Sequence, residues 1–293
     1  MLLLQQLVNG LTIGSTYALV AIGYTMVFGV LELVNMASGA FYVLGGYLTL
    51  FFLVELGWNF PLSLLASILL TGGMAAFMDA VALSPIRKKK ASKIGALIST
   101  VGISICINNL MLVLFGTETK RFPDVFALGK FQIGGVIITW QQVIIFITAI
   151  MMMIVLSVLT YHSSIGRSMQ AIAQNLDAAR LMGIHTERVI TLTFFLSAVC
   201  IGIAGTLVAM YYQQVDTKMS LTVGLKSFSA AVLGGIGVLP GAILGGFLIG
   251  LIEAFAIHFI GAGSSDAIAF TVLIVVLLVR PDGLLGKKQN TKV

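Results

Sequence analysis

Four ionisable side chains stand inside or beside long apolar runs: Glu32, Asp79, Glu253 and His258. A charge held in hydrocarbon is costly, so such a residue is either paired or part of a path for ions or polar solutes. Glu32 opens the stretch ELVNMASGAFY, where Asn35, Ser38 and Tyr42 add polar groups and Gly39 permits an irregular backbone. A helix broken here would offer free backbone N–H groups to a carboxylate ligand. The competing reading places Glu32 at a span end, in water. Glu253 lies deeper, in IGLIEAFAIHF, and suits either a hydrogen bond between helices or the lining of a path. Asp79 precedes the run Arg87, Lys88, Lys89, Lys90 and Lys93, so an ion pair with Arg87 or Lys88 is expected. Asn108 and Asn109 are adjacent in another apolar run, and at least one should bond a neighbouring helix.

None of this makes a catalytic or metal-binding set. The three His residues are scattered, and Cys106 and Cys200 sit apart in apolar runs, where they read as packed thiols. Each Gly-rich run lacks the Gly-Lys-Ser/Thr ending that would supply a phosphate-binding lysine and a magnesium-binding hydroxyl. If ATP drives this protein, another chain binds it.

A polar island supplies a different kind of site. Residues 161–190 read YHSSIGRSMQAIAQNLDAARLMGIHTERVI, between uncharged runs each long enough to cross a bilayer. Met169, Ile172, Ala173, Leu176 and Ala179 fall at helical spacing and form one apolar stripe, with Gln170, Gln174 and Asp177 turned away from it. Asn175 is placed to break the helix and cap a second one, and Gly183 to stop it. The small residues Ala171, Ala173, Ala178, Ala179 and Gly183 would let another surface approach closely. An amphipathic helix lying on the lipid interface is the competing reading.

The elements that position these residues follow from composition. Charged residues are 10% and hydrophobic residues 58% of the 293, and mean hydropathy is +1.06, against about 25% charged in ordinary globular domains. The chain is therefore expected to be an all-α, polytopic integral membrane protein with one transmembrane domain over 1–293. Apolar runs mark nine candidate spans, at 8–31, 35–54, 60–83, 94–115, 141–160, 189–211, 224–238, 241–260 and 266–280. The pair 224–238 and 241–260 includes a short Gly-rich run that could be a half-helix or re-entrant, which leaves eight or nine. The first run has no basic segment ahead of it and reads as a retained span. Net charge +6 and pI 9.4 would suggest nucleic acid in a soluble protein; here the basic residues read as topology signals. Arg87–Lys93, the island's Arg167, Arg180 and Arg188, and the tail's Arg280, Lys287, Lys288 and Lys292 share one side, which the positive-inside rule makes cytoplasmic. The C-terminus is then cytoplasmic. Segment 116–140 is an external loop with room for a short hairpin, and Lys218 and Lys226 fall between the basic clusters. In LGGIGVLPGAILGGFLIG, Gly237, Gly241 and Gly245 recur every four residues, as in close helix packing, and Pro240 is expected to interrupt the helix mid-run.

Several of these stretches, in order, resemble the shorter membrane subunit of bacterial branched-chain amino acid ABC importers. They are NGLTIGSTYALVAIGYTMVFGV, LIST-VGISI-NNL, IGRSMQAIAQNLDAARLMGI with ERVITLTF, GLKSFSAAVLGGIGVLPGAILGG and DAIAFTVLIVVLLVRPDGLLG. The resemblance runs from about Gln5 to Val293. It implies an ABC importer permease fold in a bacterial inner membrane, without enzymatic activity of its own. It makes 161–188 the cytoplasmic segment that docks on an ATP-hydrolysing subunit, through Gly166, Arg167, Ala171, Ala173, Asp177, Ala178 and Gly183. It also implies a second homologous permease, two ATP-binding subunits that carry ATP and Mg, and an extracytoplasmic amino-acid-binding protein. One departure stands out: members often carry Asn-Phe-Ala-His-Gly where this chain has Asn35-Met36-Ala37-Ser38-Gly39. Urea and short amides are cargo of relatives, so the ligand stays open. A stand-alone carrier using Glu32 or Glu253, or an intramembrane hydrolase using His258, are the competing classes.

Overall fold

A computed structural model describes residues 2–89, 92–125, 129–133, 135–261, 263, 265–280 and 283–286. Lys90, Lys287, Lys288 and Lys292, and with them the sidedness of the last seven residues, lie outside the described residues. The chain is mostly helical. Its helices are α1 (Leu2–Leu31), α2 (Ser38–Val54), α3 (Phe60–Met78), α4 (Ser84–Lys88), α5 (Lys93–Phe115), α6 (Trp140–His162), α7 (Ser164–Gln174), α8 (Leu176–Leu181), α9 (Thr186–Tyr212), α10 (Met219–Gly234), α11 (Leu239–Phe259) and α12 (Ser265–Val279). A π-helical turn, Asp79–Leu83, joins α3 to α4.

The expected apolar runs all form helices, but their lengths differ. Six stretches are long and apolar enough to cross a membrane: Leu2–Leu31, Phe60–Lys88, Ile94–Phe115, Trp140–His162, Thr186–Tyr212 and Leu239–Phe259. Ser38–Val54, Met219–Gly234 and Asp266–Val279 are shorter. Hydropathy marks where the chain is apolar, not how much of it is wound into helix.

Helix α1 is the axis of the bundle, packed on α9 and α11 and buried along most of its length. Its hydroxyls would be expensive there if unpaired. Those of Thr12, Ser15 and Thr16 donate to carbonyls of the preceding turn at 2.9, 2.7 and 2.7 Å. Small residues then let backbones touch. A Cβ on Gly250 would lie 2.2 Å from Gly14 Cα, and one on Gly246 2.3 Å from Ala18 Cα. The same device joins α2 to α9, where a Cβ on Gly205 would meet the Tyr42 carbonyl oxygen at 1.9 Å.

Helices α10 and α11 form a tight antiparallel pair. Gly241 and Gly245 press on the carbonyls of Gly234 and Ala230. Two expectations fail here. Pro240 lies in the first turn of α11, where the missing N–H costs nothing, and does not interrupt a helix. Gly237 lies outside the helix, in a turn with φ +90° beside Gly235 at +106°. The chain after α12 returns to this turn, and the N–H groups of Leu284 and Leu285 donate to the Leu233 and Gly234 carbonyls at 2.8 and 3.0 Å. They satisfy carbonyls that the end of α10 leaves open.

Two small antiparallel ladders lie at the end of the bundle remote from the island. β1 (Lys120–Arg121) pairs with β4 (Gln214–Val215), and β2 (Lys130–Ile133) with β3 (Val136–Thr139). The second is the hairpin expected within 116–140. Gln5 of α1 bonds both the N–H and the C=O of Ile137, at 2.9 Å each, so α1 begins at this end. Thr139 and Gln142 close a capping box that starts α6.

Gly250→Val is expected to cost at least about 1–3 kcal/mol through overpacking against Gly14 and to lower the melting temperature in detergent. Gly73→Ala, where a Cβ meets nothing within 4 Å, is expected to leave it unchanged or raise it. Equal effects would refute backbone contact as the basis of the α1–α11 joint.

Candidate translocation and coupling sites

The island folds as a helix–break–helix. Ser163 caps α7, its hydroxyl accepting from Gly166 N at 3.0 Å. Asn175 ends α7 and caps α8, its Oδ1 accepting from the N–H groups of Asp177 and Ala178 at 3.0 Å each. Gly183, at φ +81°, stops α8. Met169, Ile172 and Ala179 are buried against the bundle as the stripe requires, while Ala173 departs from it and is exposed.

The docking candidates divide by exposure. Arg167, Ala173, Asp177, Ala178 and Gly183 face outward, and Ala171 is half-buried. Gly166 is buried: a Cβ there would lie 2.1 Å from the Thr160 carbonyl oxygen. Its place is to fold α7 back against α6. Two residues that periodicity does not single out lie at the tip. Leu181 and Met182 are 89% and 82% exposed, a pair of large apolar side chains on the polar rim of the island.

A line of charges ties the island to the rest of the bundle. Asp79, fully buried in the π turn, pairs with Arg87 as expected, and accepts from the Thr191 hydroxyl at 2.6 Å. Arg87 also bonds Glu187 Oε2 at 2.9 Å, and the Ser84 hydroxyl donates to the same oxygen at 3.0 Å. Arg180 of α8 reaches Glu187 Oε1 at 3.2 Å and the Thr186 hydroxyl at 3.1 Å. Glu187 and Arg87 thus link α8 to α9 and to the π turn.

The pathway candidates separate into three places. Glu32 directly follows α1 with φ +50° and is exposed. Asn35, Ser38 and Gly39 start α2. Their backbone is largely committed, since Asn35 Oδ1 accepts from Ala37 N at 3.1 Å and the Thr100 hydroxyl from Met36 N at 3.2 Å. The Ser38 hydroxyl donates to the Asn35 carbonyl at 2.9 Å and lies within hydrogen-bonding reach of Tyr24. Gly39 is helical, and its role is contact: a Cβ would lie 2.0 Å from the Ser220 carbonyl oxygen. Asn108 of α5 donates to the Ser220 hydroxyl at 3.1 Å, as one of the two asparagines should, whereas Asn109 bonds its own helix.

Glu253 occupies the third place. It pairs with Lys226 at 2.7 Å, and the same ammonium reaches Asp266 at 2.6 Å. Lys226 is therefore a buried partner on α10, not a topology charge in a connecting segment. Tyr17, Tyr42 and Tyr212 lie within electrostatic reach of Glu253. The Tyr42 hydroxyl has no hydrogen-bond partner among the described residues. Pairing signals across 27 residues cannot be read from spacing, although a lysine in an apolar 16-residue helix was the available clue. Cys200 is buried as expected, but Cys106 is exposed on α5. Among the described residues, there is no group of His, Cys, Asp or Glu able to hold a metal ion.

The family model described as branched-chain amino acid transport system / permease component matches residues 6–278. The chain belongs to that family. The permease is 38% identical to BraD of Pseudomonas aeruginosa, a high-affinity branched-chain amino acid transport system permease protein, over 99% of this chain and 98% of that one. It is 36% identical to LivH of Escherichia coli, of the same description, over 99% and 97%. Among solved structures it resembles a chain of PsaBC from Streptococcus pneumoniae in complex with a Fab, with a TM-score of 0.50 and 16% identity over 96% of this chain and 93% of that one. This last likeness concerns the fold alone.

Arg87→Gln strips the buried Asp79 of its counter-charge and is expected to cost about 3–5 kcal/mol. Adding Asp79→Asn should recover most of that loss in a thermal melt. Lys226→Met should behave likewise, with recovery on adding Glu253→Gln. Additive losses in either pair would mean the charges are not coupled.

Proposed function

We propose that this chain is a membrane-spanning subunit of a binding-protein-dependent ABC importer that carries branched-chain amino acids into the bacterial cytoplasm. The observation that carries this reading is kinship with BraD and LivH over nearly the full length of all three chains. Movement follows alternating access, driven by ATP and Mg on two partner ATPase subunits. A second homologous permease completes the channel, and an extracytoplasmic binding protein delivers the amino acid.

The island end of the bundle, with Arg87, Lys88 and Lys89, faces the cytoplasm, as the positive-inside rule asks. The hairpin end and the start of α1 face outward. With the nine apolar helices taken as spans, six full-length and three short, the chain after α12 returns to the cytoplasmic side. Arg167, Ala173, Asp177, Ala178 and Gly183, with Leu181 and Met182, form the surface presented to the ATPase. Two large apolar side chains held out in water make sense as an anchor for a hydrophobic pocket. The start of α2 and the Lys226–Glu253–Asp266 group, with Tyr42, flank the route of the amino acid.

The test is uptake of labelled leucine by proteoliposomes holding this chain with its second permease, ATPases and binding protein. Uptake should require every component and ATP. Leu181→Glu with Met182→Glu should leave insertion intact and reduce ATPase co-purification at least tenfold, about 1.4 kcal/mol. Uptake by this chain alone, indifferent to ATP, would sink the reading.

A further inference from the structure

A groove of about 540 Å³ runs between the α3–π–α4 arm and α9, close to the charge line but on the outer surface. One wall is Ala76, Ala80, Ser84 and Lys88, four residues apart; Phe195, Leu192, Thr191 and Arg188 form much of the opposite wall. The two walls run antiparallel, so composition changes steadily along the groove. Away from its basic end the lining is apolar, with Ala76 and Ala80 on one wall and Leu192 and Phe195 on the other. Its mouth carries Lys88 and Arg188.

The charges at the mouth are unequal. Glu187 is matched by Arg87 and Arg180, and Asp79 by Arg87. The Ser84 and Thr191 hydroxyls already donate to these carboxylates. Lys88 and Arg188 have no ion-pair partner among the described residues. The groove is thus a cationic mouth over an apolar trough. Phe77 and Val81, beside the trough, point their large apolar side chains outward. A free anion would have no use for the trough, and a neutral lipid none for the two cations.

We propose that this groove binds an anionic phospholipid of the cytoplasmic leaflet, its phosphate between Lys88 and Arg188 and an acyl chain along Ala76 and Ala80. Basic pockets between membrane helices on the cytoplasmic side suit such headgroups. The leaflet named rests on the sidedness given under the proposed function; the binding itself does not.

The test uses the permease with its purified partners in symmetric nanodiscs, with tail-photoactivatable phosphatidylglycerol as a minor component of phosphatidylcholine. Labelling should map to 76–80 and 192–195. Lys88→Gln with Arg188→Gln should cut it about thirtyfold, since each basic group near an anionic surface is worth roughly a factor of five. Lys88→Arg with Arg188→Lys should retain it, and Ala80→Trp should block it with both charges present. Equal labelling by a phosphatidylcholine probe would overturn the proposal, as would indifference to the charge variants. Displacement by inorganic phosphate would make the site one for a free anion, and cross-links to a partner subunit would make it a protein interface; either also overturns it. Labelling in symmetric discs needs no transport, so leucine uptake measured separately tells failure here from failure of the importer reading.

Discussion

Where one helix backbone touches another, the distance between their axes is fixed by the absence of a side chain. Helix α1 meets α11 in this way through Gly14, Ala18, Gly246 and Gly250, and α2 meets α9 through Gly205. In a membrane there is little hydrophobic drive to hold helices together, so close packing must supply it. The deeply buried central elements follow from that. The hydroxyls of Thr12, Ser15 and Thr16 on α1 are accommodated there by bonding their own backbone.

Within such a packed frame the few charges take on defined parts. Lys226, Glu253 and Asp266 hold α10, α11 and α12 together. Asp79, Arg87, Glu187 and Arg180 hold four elements together near the island. The first group combines a buried pair with a half-exposed carboxylate. The second grades from a buried carboxylate to an exposed arginine. Breaking either leaves a charge with no good alternative, which keeps the joints discrete rather than soft.

Much of the fold was legible from composition and periodicity. The apolar runs became helices, Asn175 and Gly183 punctuated the island, and Asp79 found Arg87. These are local signals, carried by residues close in sequence. What was not legible depends on distance. Pro240 reads the same at a helix start as in a helix middle, and only the position of the preceding turn decides. Lys226 looked like a topology charge because its two carboxylates lie 27 and 40 residues away. Gly39 was read as a place for irregular backbone, and the reason for it is a carbonyl on another helix. The exposed pair Leu181 and Met182 escaped because periodicity finds what is buried.

The π turn at Asp79–Leu83 has a geometric consequence of its own. In a regular α-helix, residues eight apart sit about 80° round from one another, and each step of four drifts by about 40°. A turn that takes up an additional residue cancels much of that drift. Asp79 and Arg87 therefore share a face, and Ala76, Ala80, Ser84 and Lys88 stay in one file. The arm behaves like a screw with one thread let out. Any rearrangement that winds the extra residue back would turn the tip of the arm about the helix axis, carrying Lys88 round and pulling Arg87 off Asp79 and Glu187.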